Sequence, residues 1–363
     1  MGERTGIEWT GSTWTPIRAR HRQSGKLGWH CVHLSPGCRH CYAESLNGRL
    51  GTGLPFKPGH AADIEIILDE AMLLKPLRWK KPRAIFVCSM TDLFADFVPD
   101  EMIDRVFAAM ALAPQHTFQV LTKRAARMRA YLSDQFARER IAMAAIDIVN
   151  AHSELKLTSQ KWFERTDGVD HLVMPWPLRN IWAGVSAEDQ SRADERIPEL
   201  LATPAAVRFV SAEPLLGPID FTTINHGHDT TDALSGEHVW GPITNARKPP
   251  GPKLDWIIVG GESGLKARAM HPAWVRSIRD QCAGAGTAFF FKQWGEWAPS
   301  TPEQAYANPR SGWRCLAGHP HVAKREELYP EAGAAFIEHM GKKAAGRLLD
   351  GVEHSGMPEL RHG

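Results

Sequence analysis

Six short apolar runs constrain the fold of this chain more than any other sequence feature. They are rich in β-branched and aromatic residues and occupy positions 83–88, 116–121, 180–185, 206–210, 254–259 and 287–291. Apolar runs of this length without polar alternation are typical of strands buried on both faces of a parallel sheet. Helix-like patterns lie between them at positions 99–110, 188–201 and 272–283. We therefore predict an α/β fold with parallel strands.

The order of these elements narrows the architecture. Alternating strands and helices form either a doubly wound sheet or a (β/α) barrel. The sequence Val185-Ser-Ala-Glu188 recurs as Val210-Ser-Ala-Glu213, which indicates a repeated unit, and no G-x-G-x-x-G motif follows the first strand. We therefore expect a partial or full TIM-like (β/α) barrel, with a seventh strand ahead of the cysteine-rich loop.

The chain divides into three predicted regions. Residues 1–60 form an N-terminal segment with a three-cysteine loop, residues 61–294 form the barrel, and residues 295–363 form a C-terminal extension. We expect two insertions in the barrel, a helical one at about 133–179 and a long surface loop at about 218–252, where Gly, His, Thr and Pro accumulate. A helix is predicted over residues 331–349.

Charge and composition exclude several classes of protein. The net charge is +2, from 43 Lys and Arg against 41 Asp and Glu, which excludes a protein that is polybasic over its whole surface. The sequence has no apolar run of about 18 residues and no apolar leader, so we expect no membrane association and a cytoplasmic location. Six cysteines in 363 residues are too few for a disulfide scaffold.

The strongest chemical signal is a cluster of cysteines with the spacing C-x6-C-x2-C, formed by Cys31, Cys38 and Cys41. Three thiolates in a short loop can converge on a 4Fe–4S cluster and leave one iron open. Zinc is the alternative, and its fourth ligand would come from one of three neighbouring histidines, His30, His33 or His40. We expect the isolated cysteines, Cys88, Cys282 and Cys315, to be structural.

Polar residues follow every predicted strand, where the chemistry of a (β/α) barrel is located. The candidate catalytic residues there are Asp92, Lys123, Glu213 and Lys292. Ser186 and the turn containing Gly260, Gly261 and Glu262 are candidates for cofactor binding, since glycines let a ligand approach the backbone. Helix capping is the alternative role for the serines.

A basic stretch between aromatic residues is a candidate nucleic-acid contact. Arg18, Arg20, Arg22 and Lys26 lie between Trp14 and Trp29. Such a pattern can follow a phosphate backbone and stack bases on the aromatic rings. The alternative is a solvated loop.

Several motifs together resemble a known superfamily. They are Thr5-Gly-Ile-Glu-Trp-Thr10, Thr13-Trp-Thr-Pro16, Ser35-Pro-Gly-Cys-Arg-His-Cys-Tyr-Ala-Glu44, Ser89-Met-Thr-Asp-Leu-Phe94, Leu121-Thr-Lys123, Gly260-Gly-Glu-Ser-Gly264, Phe291-Lys-Gln-Trp-Gly-Glu296 and Gly346-Arg-Leu-Leu-Asp-Gly351. The chain resembles the radical SAM superfamily, and more narrowly a phage-type radical-SAM-like family with three cysteines that is catalogued as a domain of unknown function. The first cysteine gap is six residues here, whereas the superfamily usually has three.

The resemblance implies a mechanism. A 4Fe–4S cluster on Cys31, Cys38 and Cys41 would bind S-adenosylmethionine and cleave it reductively to a 5′-deoxyadenosyl radical. His40 stands where the superfamily usually has an aromatic residue against the adenine. The resemblance also implies a flavodoxin- or ferredoxin-type reductant, and similar barrels include a DNA repair enzyme. We therefore expect an enzyme whose substrate is a nucleic acid or nucleotide, with a peptide or a small metabolite as the open alternative. The rival interpretation is a non-catalytic nucleic-acid-binding protein stabilised by zinc or a cluster.

Overall fold

The computed structural model describes residues 5–167, 169–240, 246–247, 250–301, 313–316 and 333–359. Its strands are β1 (Ser12–Trp14), β2 (Ile17–His21), β3 (Leu27–Gly28), β4 (Ile64–Leu68), β5 (Ala84–Val87), β6 (Thr117–Thr122), β7 (Phe163–Thr166), β8 (Val169–Leu172), β9 (Ile181–Ser186), β10 (Val207–Ala212), β11 (Ile224–His226), β12 (Asp229–Thr231), β13 (His238–Trp240), β14 (Ala246–Arg247), β15 (Trp256–Gly260), β16 (Ala288–Gln293), β17 (Trp297–Pro299), β18 (Trp313–Leu316), β19 (Ala335–His339), β20 (Leu348–Leu349) and β21 (Val352–Glu353). Its α-helices are α1 (Tyr42–Leu50), α2 (Glu70–Leu73), α3 (Asp100–Ala111), α4 (Ala125–Ser133), α5 (Ala137–Ala151), α6 (Gln190–Ala202), α7 (Pro272–Ala285) and α8 (Lys342–Ala345).

The main sheet has seven strands in the order β1-β5-β6-β9-β10-β15-β16. The pairs β1–β5, β5–β6, β10–β15 and β15–β16 are parallel. All six predicted strands are therefore confirmed, and β1 supplies the seventh. Every residue of β9 and β15 is buried, which agrees with apolar runs that lack alternation.

The chain forms two compact units. The first comprises residues 1–34, 41–184 and 202–207. In this unit the helix α3 packs against α5, and its first turn carries Asp100 and Glu101 at the positive end of the helix dipole. A three-stranded antiparallel sheet, β3-β2-β4, belongs to the same unit.

The second unit comprises residues 35–40, 185–201 and 208–363. Trp256 of β15 is fully buried, and its ring lies 5.7 Å from Phe209 and 6.0 Å from Phe290. The helix α7 starts with Pro272 after the capping side chain of His271, and Gly286, with φ +66°, caps its C-terminus. The unit therefore has its own aromatic core.

Two expectations about the chain outside the main sheet are wrong. Residues 218–252 do not form only a loop, because β11, β12, β13 and β14 pair there in a four-stranded antiparallel sheet. These strands are two or three residues long, which is too short to give an apolar run in the sequence.

The helix expected over 331–349 is also absent from its described part, 333–349. The strand β19 occupies its first half and pairs antiparallel with β17 and β18. Gly333, Gly341 and Gly346 have φ values of +85°, +80° and +67°, which a continuous right-handed helix does not allow. Within the described residues 333–349, only the single turn of α8 is helical.

Candidate functional site

The three clustered cysteines form no disulfide and are partly buried. Cys31 and Cys41 both pack against the apolar cluster of Ala43, Phe56 and Met90 in the first unit. Burial, followed by the nearby Asp92 carboxylate, raises the pKa of the Cys31 thiol to about 12. Without a metal this thiol therefore stays protonated at neutral pH.

Asp92 organises the carboxyl ends of β5 and β6 in the same unit. Its buried carboxylate accepts hydrogen bonds from the Thr122 hydroxyl at 2.7 Å, from the Lys123 amide at 3.0 Å and from the Phe94 amide at 3.0 Å. Arg124 Nη1 completes the set at 3.1 Å. Every oxygen of Asp92 is therefore committed to protein donors.

The cysteine loop is anchored to these strand ends by its backbone. Arg124 Nη2 donates to the Val32 carbonyl at 3.4 Å, and the Thr91 hydroxyl donates to the His30 carbonyl at 2.5 Å. The Tyr42 hydroxyl donates to the Ser89 carbonyl. These bonds hold both neighbours of Cys31.

In the second unit, two glutamates hold the segment of residues 35–40. Glu188 is fully buried, accepts a hydrogen bond from the Gly37 amide at 3.1 Å and pairs with buried Arg196 at 3.1 Å. Glu262 pairs with Arg268 and accepts from His40 Nδ1 at 3.0 Å. The turn that carries Cys38 is thus attached to two buried carboxylates.

The charge state of Glu262 follows from these bonds. Burial by itself raises the pKa of a carboxyl, but the hydrogen bonds from Arg268 and His40 outweigh it and hold the pKa of Glu262 below its usual range. Arg268 Nη2 also donates to the Pro36 carbonyl at 3.0 Å. Glu262, predicted from the sequence as a cofactor ligand, lies in an ion pair that holds the cysteine-bearing turn.

The other predicted residues of the second unit meet at the ends of β10, β15 and β16. Lys292 Nζ lies 3.2 Å from Glu213 Oε1, and the Ser211 hydroxyl donates to Glu213 at 3.1 Å. A Cβ on Gly260 would lie 2.4 Å from Glu213 Oε1, and one on Gly261 would lie 1.8 Å from the Trp294 carbonyl oxygen. Gly261 therefore requires glycine whether or not a ligand approaches, whereas a side chain at position 260 would require the Glu213 side chain to shift.

Ser186 is buried at the end of β9, and its carbonyl oxygen accepts from Arg196 at 2.8 Å. Lys123 is partly buried at the end of β6. Both keep the positions that the sequence predicts for them, one on each unit.

The basic N-terminal stretch lies partly in the small sheet β3-β2-β4 and partly in the loop between β2 and β3. Arg18 donates to the Gly28 carbonyl at 3.1 Å and lies 4.7 Å from the centre of the Trp29 ring, and Arg20 pairs with Glu65 at 3.0 Å. Trp14 is fully buried and donates to a backbone carbonyl. Base stacking on Trp14, expected from the sequence, is therefore wrong, because no face of its ring is accessible.

Among the described residues, no group of three or more His, Cys, Asp and Glu side chains is already arranged to hold a metal ion. His33 Nε2 lies 3.1 Å from Glu44, and His40 is bonded to Glu262. His30 differs in being a buried residue, and its Nε2 has no hydrogen-bond partner in the described part of the chain. Burial is the main reason that its pKa falls to about 4, so this ring is neutral.

Three arginines of these sites were not predicted from the sequence. Arg124 directly follows the predicted Lys123, whereas Arg196 and Arg268 follow their glutamate partners by eight and six residues. The sequence offers one signal for them, an arginine a few residues from a predicted acid or strand end. This signal does not show which residue the arginine pairs with.

Comparison with known proteins assigns the chain to a family. A family model described as a protein of unknown function, DUF5131, matches residues 4–358. No curated protein and no solved structure matches the chain. None of the described helices is long and apolar enough to cross a membrane.

Proposed function

The chain belongs to the DUF5131 family of proteins of unknown function, and we propose that it is a cytoplasmic iron–sulfur enzyme of the radical SAM type. In this proposal Cys31, Cys38 and Cys41 hold a 4Fe–4S cluster, and the main sheet is part of a (β/α) barrel. The observation that carries it is the C-x6-C-x2-C loop, whose backbone is tied to strand ends on both sides of Cys31.

The donor set fits such a cluster. Soft thiolates are the usual ligands of iron–sulfur clusters, and all three cysteines are partly buried and form no disulfide. Two of them share one apolar cluster, which limits solvent access. No set of three ligands is preformed in the described residues, so the support comes from donor chemistry and from the anchored loop.

Reductive cleavage of S-adenosylmethionine is the chemistry that such a cluster supplies when bound. The residues of this chain would bind and orient the reacting groups. Lys123 and Lys292 place partly buried cations at strand ends, where each can bind a carboxylate or phosphate. Glu213 accepts from Ser211 and Lys292 and so fixes the ammonium of Lys292. His40, fixed by Glu262, can stack on a base.

Metal analysis tests the proposal directly. Protein purified without oxygen should be brown and contain iron and sulfide, and the triple substitution of Cys31, Cys38 and Cys41 by Ala should remove both. The matched control replaces the buried cysteines Cys88 and Cys282 by Ala and should keep the iron. Full iron content in the triple variant would refute the ligand assignment.

A second measurement tests whether the cluster binds and cleaves S-adenosylmethionine. Dithionite-reduced protein should bind S-adenosylmethionine and release 5′-deoxyadenosine. Lys292→Ala should weaken binding, while a lysine-to-alanine change at the exposed Lys26 should not. A reconstituted cluster that neither binds nor cleaves S-adenosylmethionine would refute the radical mechanism.

One observation favours a second candidate, a zinc-stabilised nucleic-acid-binding protein. The neutral His30 has a buried Nε2 without a partner in the described residues and is adjacent to Cys31, as a fourth zinc ligand would be. Stoichiometric zinc in colourless protein, lost in a His30→Ala variant, would support this candidate. Iron and sulfide in the same preparation would exclude it.

We propose a nucleic acid or nucleotide as substrate, and a flavodoxin- or ferredoxin-type protein as reductant. Of the four predicted contacts, Arg18 and Arg20 are engaged in ion pairs, whereas Arg22 and Lys26 are exposed. Two phosphate contacts give a slope of affinity against salt of about −1.8 on a log–log plot. An unchanged slope in an Arg22→Ala, Lys26→Ala variant would exclude this surface.

A further inference from the structure

The Asp92–Arg124 pair is buried near the carboxyl ends of β5 and β6. Its two side chains are 9% and 8% exposed, and they lie 3.1 Å apart. Buried ion pairs rarely add net stability, because desolvation offsets the attraction. We therefore consider which residues lie next to the pair, because its contribution to the stability of the fold is small.

What the pair faces is the first cysteine of the loop. Arg124 donates a hydrogen bond to the carbonyl of Val32, the residue after Cys31. Thr91, which precedes Asp92, donates a hydrogen bond to the carbonyl of His30, the residue before Cys31. Both charges of the pair also act on the Cys31 thiol, in opposite directions. A change of charge at either side chain is thus felt at Cys31.

We propose that the Asp92–Arg124 pair positions Cys31 and sets how readily the iron–sulfur group bound there accepts an electron. This inference rests on the proposed function. A positive charge near a cluster favours its reduced form and a negative charge opposes it. With both partners present the two effects largely cancel. Removing Arg124 leaves the Asp92 carboxylate, and removing the Asp92 charge leaves the guanidinium.

The prediction is a pair of shifts with opposite signs. At a fixed applied potential, Arg124→Gln should lower the ratio of reduced to oxidised cluster about tenfold, and Asp92→Asn should raise it about tenfold. Tenfold corresponds to about 59 mV for a one-electron couple. The double variant should return close to wild type, because it removes both charges. The measurement is a dithionite titration followed by electron paramagnetic resonance, with iron content determined for each variant.

Asp104 and Arg140 provide a matched control, because they form a partly buried pair at 3.2 Å in the same unit and bond Tyr131 and Asp134 instead of the cysteine loop. Their Asn and Gln variants should leave the ratio unchanged. Shifts of the same sign in both test variants, shifts below about twofold, or equal shifts in the control pair would overturn the inference. If Arg124→Gln loses its iron, the direction of the Asp92→Asn shift decides. Wild-type protein without iron would instead refute the proposed function, and the inference with it.

Discussion

Breaking the Glu188–Arg196 pair should destabilise the second unit strongly. The two side chains are 0% and 2% exposed and their charged atoms lie 3.1 Å apart. At an effective dielectric constant of 20, this separation corresponds to about 5 kcal/mol of attraction. Glu188→Gln keeps an acceptor for the Gly37 amide but leaves Arg196 as a buried charge without its counterion. Loss of one partner of a buried pair costs about 3–5 kcal/mol, and we expect that loss in the free energy of unfolding.

Urea denaturation followed by tryptophan fluorescence measures this loss, and hydrogen exchange of the α6 amides assigns it to the unit. Arg196→Met should cost a similar amount. The double variant, Glu188→Gln with Arg196→Met, should cost no more than either single change, because it leaves no charge unpaired. The exposed pair Arg192–Glu195 is the control, since Arg192→Met should cost less than about 1 kcal/mol. Additive losses in the double variant, or single losses below about 1 kcal/mol, would refute the reasoning.

Two further predictions concern packing and pH. Gly261→Ala should destabilise the protein by at least roughly 1–3 kcal/mol, because the new Cβ would lie 1.8 Å from the Trp294 carbonyl oxygen. Gly284→Ala is the control, since this helical position has open space around it, and the change should stabilise the protein by about 0.5–1 kcal/mol. Equal effects of the two changes in urea denaturation would contradict this prediction. Burial lowers the pKa of His116 below its ordinary value of 6.5, so the free energy of unfolding should be highest above that pH and fall as the pH drops toward the folded-state pKa. His116→Gln should remove this part of the pH dependence in a series of urea titrations, whereas His60→Gln, at a partly exposed ring, should not.

The parts of the fold that depend on local pattern could be predicted from the sequence. The strands β5, β6, β9, β10, β15 and β16 lie within two residues of the predicted runs, because burial on both faces leaves a continuous apolar signal. The four-stranded sheet of the second unit could not be predicted, since its strands are too short for such a signal. The helix over 331–349 failed because its composition favours a helix, while three glycines at positive φ interrupt the backbone.

In the candidate site, too, some residues could be selected from the sequence and others could not. Cys31, Cys38 and Cys41 could be selected because their signal is a spacing within one loop. The partners of Glu188 and Glu262 could not be selected, because a salt bridge is a contact in space and the sequence does not record it. The role of Glu262 in an ion pair with Arg268 therefore emerges only from the structure.

The attachment of residues 35–40 has a consequence for biosynthesis. Gly37 bonds Glu188, which lies 151 residues later, and the Pro36 carbonyl bonds Arg268, which lies 232 residues later. At about 5–20 residues per second, a ribosome needs roughly 10–50 s to add those 232 residues. For that time the nascent segment carries Cys38 without the contacts that hold residues 36 and 37 in the folded unit.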